Sequence, residues 1–341
     1  MTLTVDFSPN DIVKQIEKTG IKGQHLIFID DYSSTELENI FKTAEMLEPF
    51  WRNRIPLLEG KILCTQFFQP STRTRFSHET AMFRLGGNVI TESNPLVSSA
   101  AAKGESLYDS LRVTSQYADV IVLRHPDEGV IDTIEQLGSD ASPIISGGYG
   151  NVTHPTQGLL DMYTAYRALG GDFKEMTVMI ATPDLSRARS GQSFGLGLAR
   201  MGSKLIYSGT TGLGVPPVIR AKLKAMNANF TEVNDLTIGQ HEEMLADEGV
   251  DLLYLPGCSV KKGDPGRDDF LKKMAEFYFT LEGLQKIKQK SGKTVGLMHS
   301  LPRNEGEFDF AIDASEHELY FKQIGFSVPL RMSLLANICG V

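Results

Sequence analysis

From Ile62 to Met298 the chain alternates short apolar runs with longer amphipathic stretches, and this rhythm constrains the fold more than any other feature. The apolar runs fall at 62–68, 88–91, 120–123, 143–145, 177–181, 204–207, 229–233, 251–255 and 294–298. Helical patterns occupy 71–85, 105–117, 128–137, 155–168, 190–201, 216–226, 240–247 and 269–289, and a last amphipathic stretch covers 328–338. Short apolar strands that each hand over to a helix give parallel sheets covered on both faces, an α/β fold. A chain of 341 residues exceeds one ordinary core, so two doubly wound parallel-sheet domains are expected, with the break in or just after helix 155–168. Parallel sheets bind ligands at their carboxyl ends, and a cleft between two such domains is the favoured place for a site.

Before residue 60 the reading is sparser. Ser33 or Ser34 is placed to cap a helix running through Leu37, Ile40, Phe41 and Ala44, with Trp51 packing at its end. Residues before about 25 are left unassigned.

The segment Ser71-Thr72-Arg73-Thr74-Arg75 follows the first strand and opens a helix. A helix start presents unpaired backbone N–H groups and the positive end of the helix dipole. Three hydroxyls and two guanidinium groups crowd into that turn, which makes a cradle for an oxyanion such as phosphate. A simple capped helix with solvated arginines is the plainer alternative. The net charge of −8 argues against general nucleic-acid binding and makes a local basic cluster meaningful. Cys64, Cys258 and Cys339 are widely spaced without a CxxC pair, which fits a reducing compartment and neither a disulfide framework nor a zinc ribbon. With no signal peptide and no apolar run long enough to cross a bilayer, a cytoplasmic location is expected.

Other candidates sit where strands end. Lys103, in the small-residue loop with Ser99, reads alone as part of a connector and beside a phosphate cradle as a second cation. Arg124 closes a parallel strand and faces the cleft, whereas His125 next to it reads equally as a structural histidine. His154 precedes a helix that starts on Pro155, and Gln157 one turn on offers an amide suited to a neutral –C(=O)NH2 group. Arg187 and Arg189 precede another helix; Arg189 suits a carboxylate, and an interdomain ion pair is an equal reading for Arg187. His299-Ser300-Leu301-Pro302-Arg303 follows the last strand and could offer backbone carbonyls to an NH2 group. Gly195 and Gly197 lie inside a helical pattern as packing residues, and Gly209, Gly212 and Gly214 lack the helix start and acidic partner of a dinucleotide site.

Taken together and in this order, Ser71 to Arg75, Ser99 with Lys103, Arg124, His154-Pro155-Thr156-Gln157, Arg189 and His299 to Arg303 resemble aspartate and ornithine carbamoyltransferases. Tyr117 to Pro126 and Gly158 to Tyr163 are similar to the aspartate type. The resemblance spans nearly the whole chain from about residue 25. It implies a carbamoyl-phosphate domain over 1–155, an acceptor domain over 156–325, and a C-terminal helix, 326–341, that packs back on the first. It further implies a homotrimer with shared active sites, no metal and no organic cofactor. By matching positions, Ser71, Thr72, Arg73 and Thr74 would hold phosphate, while Thr74, Arg124 and His154 would polarise the carbamoyl carbonyl. Gln157 with the Leu301 and Pro302 carbonyls would orient the carbamoyl NH2. Ser99 and Lys103 would come from the neighbouring subunit, and Arg189 would grip an acceptor carboxylate.

The sequence departs from the pattern on the acceptor side. Aspartate carbamoyltransferases carry an Arg-x-Gln motif after the strand matching 251–255; here Gly257 replaces the arginine and Ser259 the glutamine, followed by Lys261 and Lys262. Losing a charge-assisted contact costs about 1.5–3 kcal/mol. Lys261 or Lys262 is a candidate to restore a cation, and Gln69 stands in place of a usual glutamate. No ornithine-type Asp-x-x-x-Ser-Met or His-Cys-Leu-Pro motif occurs. The expected activity is carbamoyl transfer from carbamoyl phosphate to the amino group of a small carboxylate-bearing acceptor. Two alternatives are a true aspartate carbamoyltransferase of pyrimidine synthesis and a non-catalytic relative that only binds.

Overall fold

The structure, a computed structural model, describes residues 7–138, 141–257, 267–304 and 306–341. The chain divides into two compact units: residues up to Thr156 together with Gly325–Val341, and Gln157–Ile324.

In the first unit α1 (Pro9–Thr19) and α2 (Ser34–Leu47) precede β1 (Ile62–Phe67) and α3 (Thr72–Arg84). There follow β2 (Asn88–Glu92), α4 (Pro95–Ser98), α5 (Leu107–Thr114), β3 (Val120–His125), α6 (Val130–Leu137) and β4 (Ile144–Tyr149). The four strands are parallel in the order β2-β1-β3-β4, so the chain reverses direction across the sheet between β1 and β3. One face of this sheet buries Cys64, Ile121, Leu123 and Ile144 against Leu111, Ile134 and Leu137 of its helices.

Helix α7 (Pro155–Leu169) begins at the unit boundary. The second unit then contains β5 (Thr177–Ala181), α8 (Arg189–Met201), β6 (Lys204–Gly209), α9 (Pro217–Ala225) and β7 (Phe230–Asn234). It continues through α10 (Ile238–Asp247), β8 (Leu252–Leu255), α11 (Arg267–Ala275), α12 (Leu281–Ser291) and β9 (Gly296–His299) into α13 (Tyr320–Cys339). Its sheet is parallel in the order β7-β6-β5-β8-β9, and its reversal lies between β5 and β8. Met179, Leu253 and Leu297 from three strands pack with Leu245, Leu284 and Ile287. In α8 a Cβ on Gly195 would stand 1.8 Å from the Tyr207 hydroxyl, so this glycine lets the helix lie close to the sheet.

Several expectations need correction. The unassigned N-terminal segment forms α1, capped by Ser8, with Ile12 and Ile16 buried. The single helix expected over 269–289 is two, α11 and α12. Phe277 and Phe279 turn inward between them, Phe279 bridges to Phe308, and Thr280 caps the second helix. The small-residue stretch around Ser99 is not a plain loop but α4 followed by a 3-10 turn over Ala100–Lys103. Trp51 is 41% exposed and stacks under the Arg52 guanidinium at 4.1 Å instead of packing into a core. The terminal helix begins earlier than 328 and contains Pro329.

Candidate active site

In the first unit the residues of interest gather where β1, β3 and β4 end. Ser71 is the N-cap of α3 in extended backbone, and its side chain makes no capping bond. Its hydroxyl therefore stays at the mouth of the turn with Thr72 and Arg73, which are exposed, while Thr74 is buried. The Thr74 carbonyl accepts from His78 Nδ1 at 2.7 Å and from the Ser77 hydroxyl at 3.1 Å, which fastens this turn from beneath. Burial, with the nearby Arg331 charge, pushes the His78 imidazole down to about 3, so it is neutral near pH 7. Arg75 is turned away from the mouth: its Nε lies 3.8 Å from Glu79 Oε1, and its guanidinium stacks on Phe76. The cradle thus keeps one of its two arginines.

Arg124 and His154 are brought together. Arg124 Nη1 donates to the Gly147 carbonyl at 2.7 Å and lies 3.4 Å from His154 Nε2. The Nδ1 side of the same ring lies 3.4 Å from the Thr156 hydroxyl, so Arg124 and Thr156 bracket the imidazole. Two residues unused in the sequence reading make this possible. A Cβ on Gly147 would lie 3.2 Å from the Leu123 carbonyl oxygen, and one on Gly148 would lie 3.0 Å from Arg124 Nη1 and 3.3 Å from the His154 ring. The Gly147-Gly148 pair inside a strand was the signal that could have found them. His125 takes the structural role: it accepts from the Asp127 N–H at 3.1 Å and meets the Phe68 ring edge-on. Ser99 donates to the Pro95 carbonyl at 2.7 Å and caps the 3-10 turn that ends in exposed Lys103.

In the second unit the residues lie where β5, β8 and β9 end. Arg189 opens α8, and burial lowers its guanidinium from the usual arginine range. Gln157, in the first turn of α7, donates from Nε2 to Asp161 Oδ1 at 2.7 Å. The Tyr254 hydroxyl donates to Asp161 Oδ2 at 2.7 Å, and Gln323 donates to Oδ1 as well. Ser190 and Ser300 bond the Tyr254 oxygen in turn, and Ser300 accepts from the Gly257 N–H at 3.2 Å. The sequence reading gave no role to Tyr254 or to Asp161, although Asp161 lies in the family-like stretch Gly158 to Tyr163, one turn after Gln157 on the same helix face.

A Cβ on Gly257 would approach His299 Cε1 to 3.2 Å and Nε2 to 3.3 Å, so the ring crowds the side-chain direction at this position. His299 accepts from the Leu301 N–H through Nδ1 and faces Glu307 through Nε2 at 3.4 Å. Burial works to raise the Glu307 carboxyl, but its bonds to His299 and Asn304 outweigh this and lower it. Leu301 holds a left-handed φ of 49° and its bond to Pro302 is cis. Arg303 is committed to Asp313 and to the face of Phe310, which gives it a structural role. Ser259 and Lys262, with Lys261, lie outside the described residues. Among the described residues no cluster of His, Cys, Asp and Glu could hold a metal ion.

Residues 24–167 match the sequence profile of the aspartate/ornithine carbamoyltransferase carbamoyl-P binding domain. The ureidoglycine carbamoyltransferase of Rubrobacter xylanophilus is 44% identical over 326 residues, covering 95% of this chain and 94% of that protein. The chain belongs to the aspartate/ornithine carbamoyltransferase family. Within this carbamoyltransferase family, the aspartate carbamoyltransferase catalytic subunit of Methanocaldococcus jannaschii is 39% identical, covering 92% of this chain and 97% of its own length. The solved catalytic subunit from M. jannaschii superposes with a TM-score of 0.78 at 36% identity, over 93% of this chain and 99% of that one. An aspartate transcarbamoylase from Trypanosoma cruzi in complex with carbamoyl phosphate gives 0.80 at 26% identity, over 94% of this chain and 98% of that one. The chain is thus a carbamoyltransferase with the two-domain fold of that family. Among the described residues no helix is long and apolar enough to cross a membrane.

Proposed function

We propose that this carbamoyltransferase transfers the carbamoyl group of carbamoyl phosphate to the amino group of an acceptor of the ureidoglycine kind. Such an acceptor has one carboxylate and a neutral ureido group where aspartate has its second carboxylate. Gly257 carries this reading: the residue at the arginine position of aspartate carbamoyltransferases has no charge and, with the His299 ring beside it, little room for a side chain. A neutral ureido group needs hydrogen bonds and no guanidinium, and the Ser300 hydroxyl and the Gly257 N–H are of that type. The name of the 44% identical Rubrobacter relative supports the same acceptor. True aspartate carbamoylation is the second reading, favoured by the aspartate-type relatives at 35–39% identity.

In this reading residues 1–155 with 326–341 bind carbamoyl phosphate and 156–325 bind the acceptor. Ser71, Thr72, Arg73 and Thr74 at the start of α3 hold the phosphate, aided by the helix dipole. Thr74, Arg124 and His154 face the carbamoyl oxygen; Gln157 and the Leu301 and Pro302 carbonyls face its NH2. Arg189 binds the acceptor carboxylate, and Gly257 stands on the side of its second substituent. The uncharged amine attacks the carbonyl carbon, a C–N bond forms, and the carbonyl electrons collect on an oxyanion stabilised by Arg124, His154 and Thr74. Collapse breaks the C–O bond to phosphate, and the departing phosphate takes the proton lost by the amine. Positioning and electrostatics supply the acceleration, with no metal or organic cofactor.

The assembly is proposed to be a homotrimer in which Ser99 and Lys103 complete a neighbour's site. Exposed apolar side chains favour an oligomer: Phe76 and Phe83 on α3, Ile90 on the edge strand β2, Val97 on α4, and Val113 and Tyr117 around the end of α5. A cytoplasmic enzyme acting on small polar metabolites fits the composition. The test is a panel of acceptors, aspartate and ureidoglycine included, incubated with carbamoyl phosphate, with phosphate release and product mass as readouts. Ureidoglycine should give the bis-ureido acid at a kcat/KM at least about 100-fold above aspartate, consistent with a contact worth about 3 kcal/mol. Efficient turnover of aspartate alone would overturn the acceptor assignment.

A further inference from the structure

We propose that Asp161 is a positioning residue: it fixes the amide of Gln157 so that Oε1, and not the NH2, meets the carbamoyl NH2 of the donor. The proposal rests on the reading of Gln157 as the group facing that NH2. A glutamine amide has two ends of nearly equal shape, and nothing in Gln157 itself chooses between them. Asp161 chooses. It is fully buried, and as a carboxylate it only accepts, so the neighbour 2.7 Å from Oδ1 must be the NH2 of Gln157. The Tyr254 hydroxyl and the Gln323 amide also donate to Asp161, which holds the carboxylate in place between α7, β8 and α13. These three neighbours each turn a donor toward Asp161, and the acceptor end of Gln157 is left pointing away.

The chemical consequence is donor selectivity. A carbonyl presented to the donor favours –NH2 over –CH3, so carbamoyl phosphate should be preferred to acetyl phosphate, whose methyl group would leave Oε1 unpaired. In Asp161→Asn the isosteric amide can donate to Oε1 of Gln157, which allows the glutamine to flip and present its own NH2. The kcat/KM ratio of carbamoyl phosphate to acetyl phosphate, measured with one acceptor, should then fall at least about tenfold, with the loss carried by carbamoyl phosphate. Asp161→Glu, which still only accepts, should retain the ratio even at a reduced rate. A ratio unchanged in folded Asp161→Asn, with both donors slowed in parallel, is what a merely structural carboxylate gives and would overturn the proposal. Gln157→Leu separates the two ideas. If it keeps the ratio, the role given to Gln157 fails; if it loses the ratio while Asp161→Asn keeps it, only the role of Asp161 fails. A neutron structure of the unaltered enzyme with phosphonoacetamide needs no variant. Deuterons on the Gln157 atom facing Asp161 support the proposal, and deuterons on the atom facing the bound amide contradict it.

Discussion

Gly148 is the residue on which the geometry of Arg124 and His154 turns. Its φ of 111° lies where side chains are rarely tolerated, and a Cβ would reach both the Arg124 guanidinium and the His154 ring. Gly148→Ala is therefore expected to lose about 1–3 kcal/mol of stability through backbone strain and, in addition, to lower kcat through the displaced arginine. Gly170→Ala is the matched control, since Gly170 has a φ of 83° with nothing within 4 Å of the added carbon. It should lose stability and keep kcat. Equal kcat losses in both variants would show that Gly148 matters only for folding. Arg75 makes the complementary point. Its sequence position beside Arg73 suggested an anion ligand, yet Glu79 one turn along the same helix draws its side chain away.

At the scale of elements, α3 and α10 each carry a buried histidine that ties the helix internally. His78 bonds the Thr74 carbonyl, while His241 bonds the Thr237 carbonyl and the Ser208 hydroxyl of β6. Burial pushes them to about 3 and about 4, whereas unfolding returns both toward the ordinary 6.5. Below 6.5 the unfolded chain binds more protons, so this contribution is complete above about 6.5 and is lost as pH falls, at up to about 1.4 kcal/mol per pH unit for each histidine. Urea unfolding at pH 7, 6 and 5 should show the decline, and His241→Asn should remove roughly one proton from its slope. A stability flat from 6.5 to 4.5 would contradict it. Most elements were legible because parallel strands buried on both faces, such as Val120–Leu123, stand out as apolar runs in any window. The break between α11 and α12 was not, because Phe277 and Phe279 fit a helical stripe locally and only their burial against Phe308 shows the turn. Strand-end residues such as Arg124 and His154 were legible from position. Asp161 was not, because an acid on an amphipathic helix reads as solvated until the burial of its face is seen.

At the scale of the whole molecule, the proposed shared site has a quantitative signature. Arg73→Ala and Lys103→Ala should each be nearly inactive, and mixing them through reversible dissociation should recover about a quarter of the unaltered activity. That fraction follows because a site is whole only when one subunit supplies Arg73 and its neighbour supplies Lys103. No recovery in verified hybrids would mean that each chain builds its own site. The central claim, however, concerns the acceptor: with Gly257 at the arginine position, a second carboxylate has no charged grip. Its most direct test is calorimetric binding of two bisubstrate analogues, N-(phosphonacetyl)-L-aspartate and N-phosphonacetylglycine, which differ by that carboxylate arm. The two should bind within about tenfold of each other, because the contact worth about 1.5–3 kcal/mol is missing. Binding of the aspartate compound roughly 100-fold or more tighter would mean that this enzyme does grip a second carboxylate, and the ureidoglycine-type acceptor would have to be abandoned.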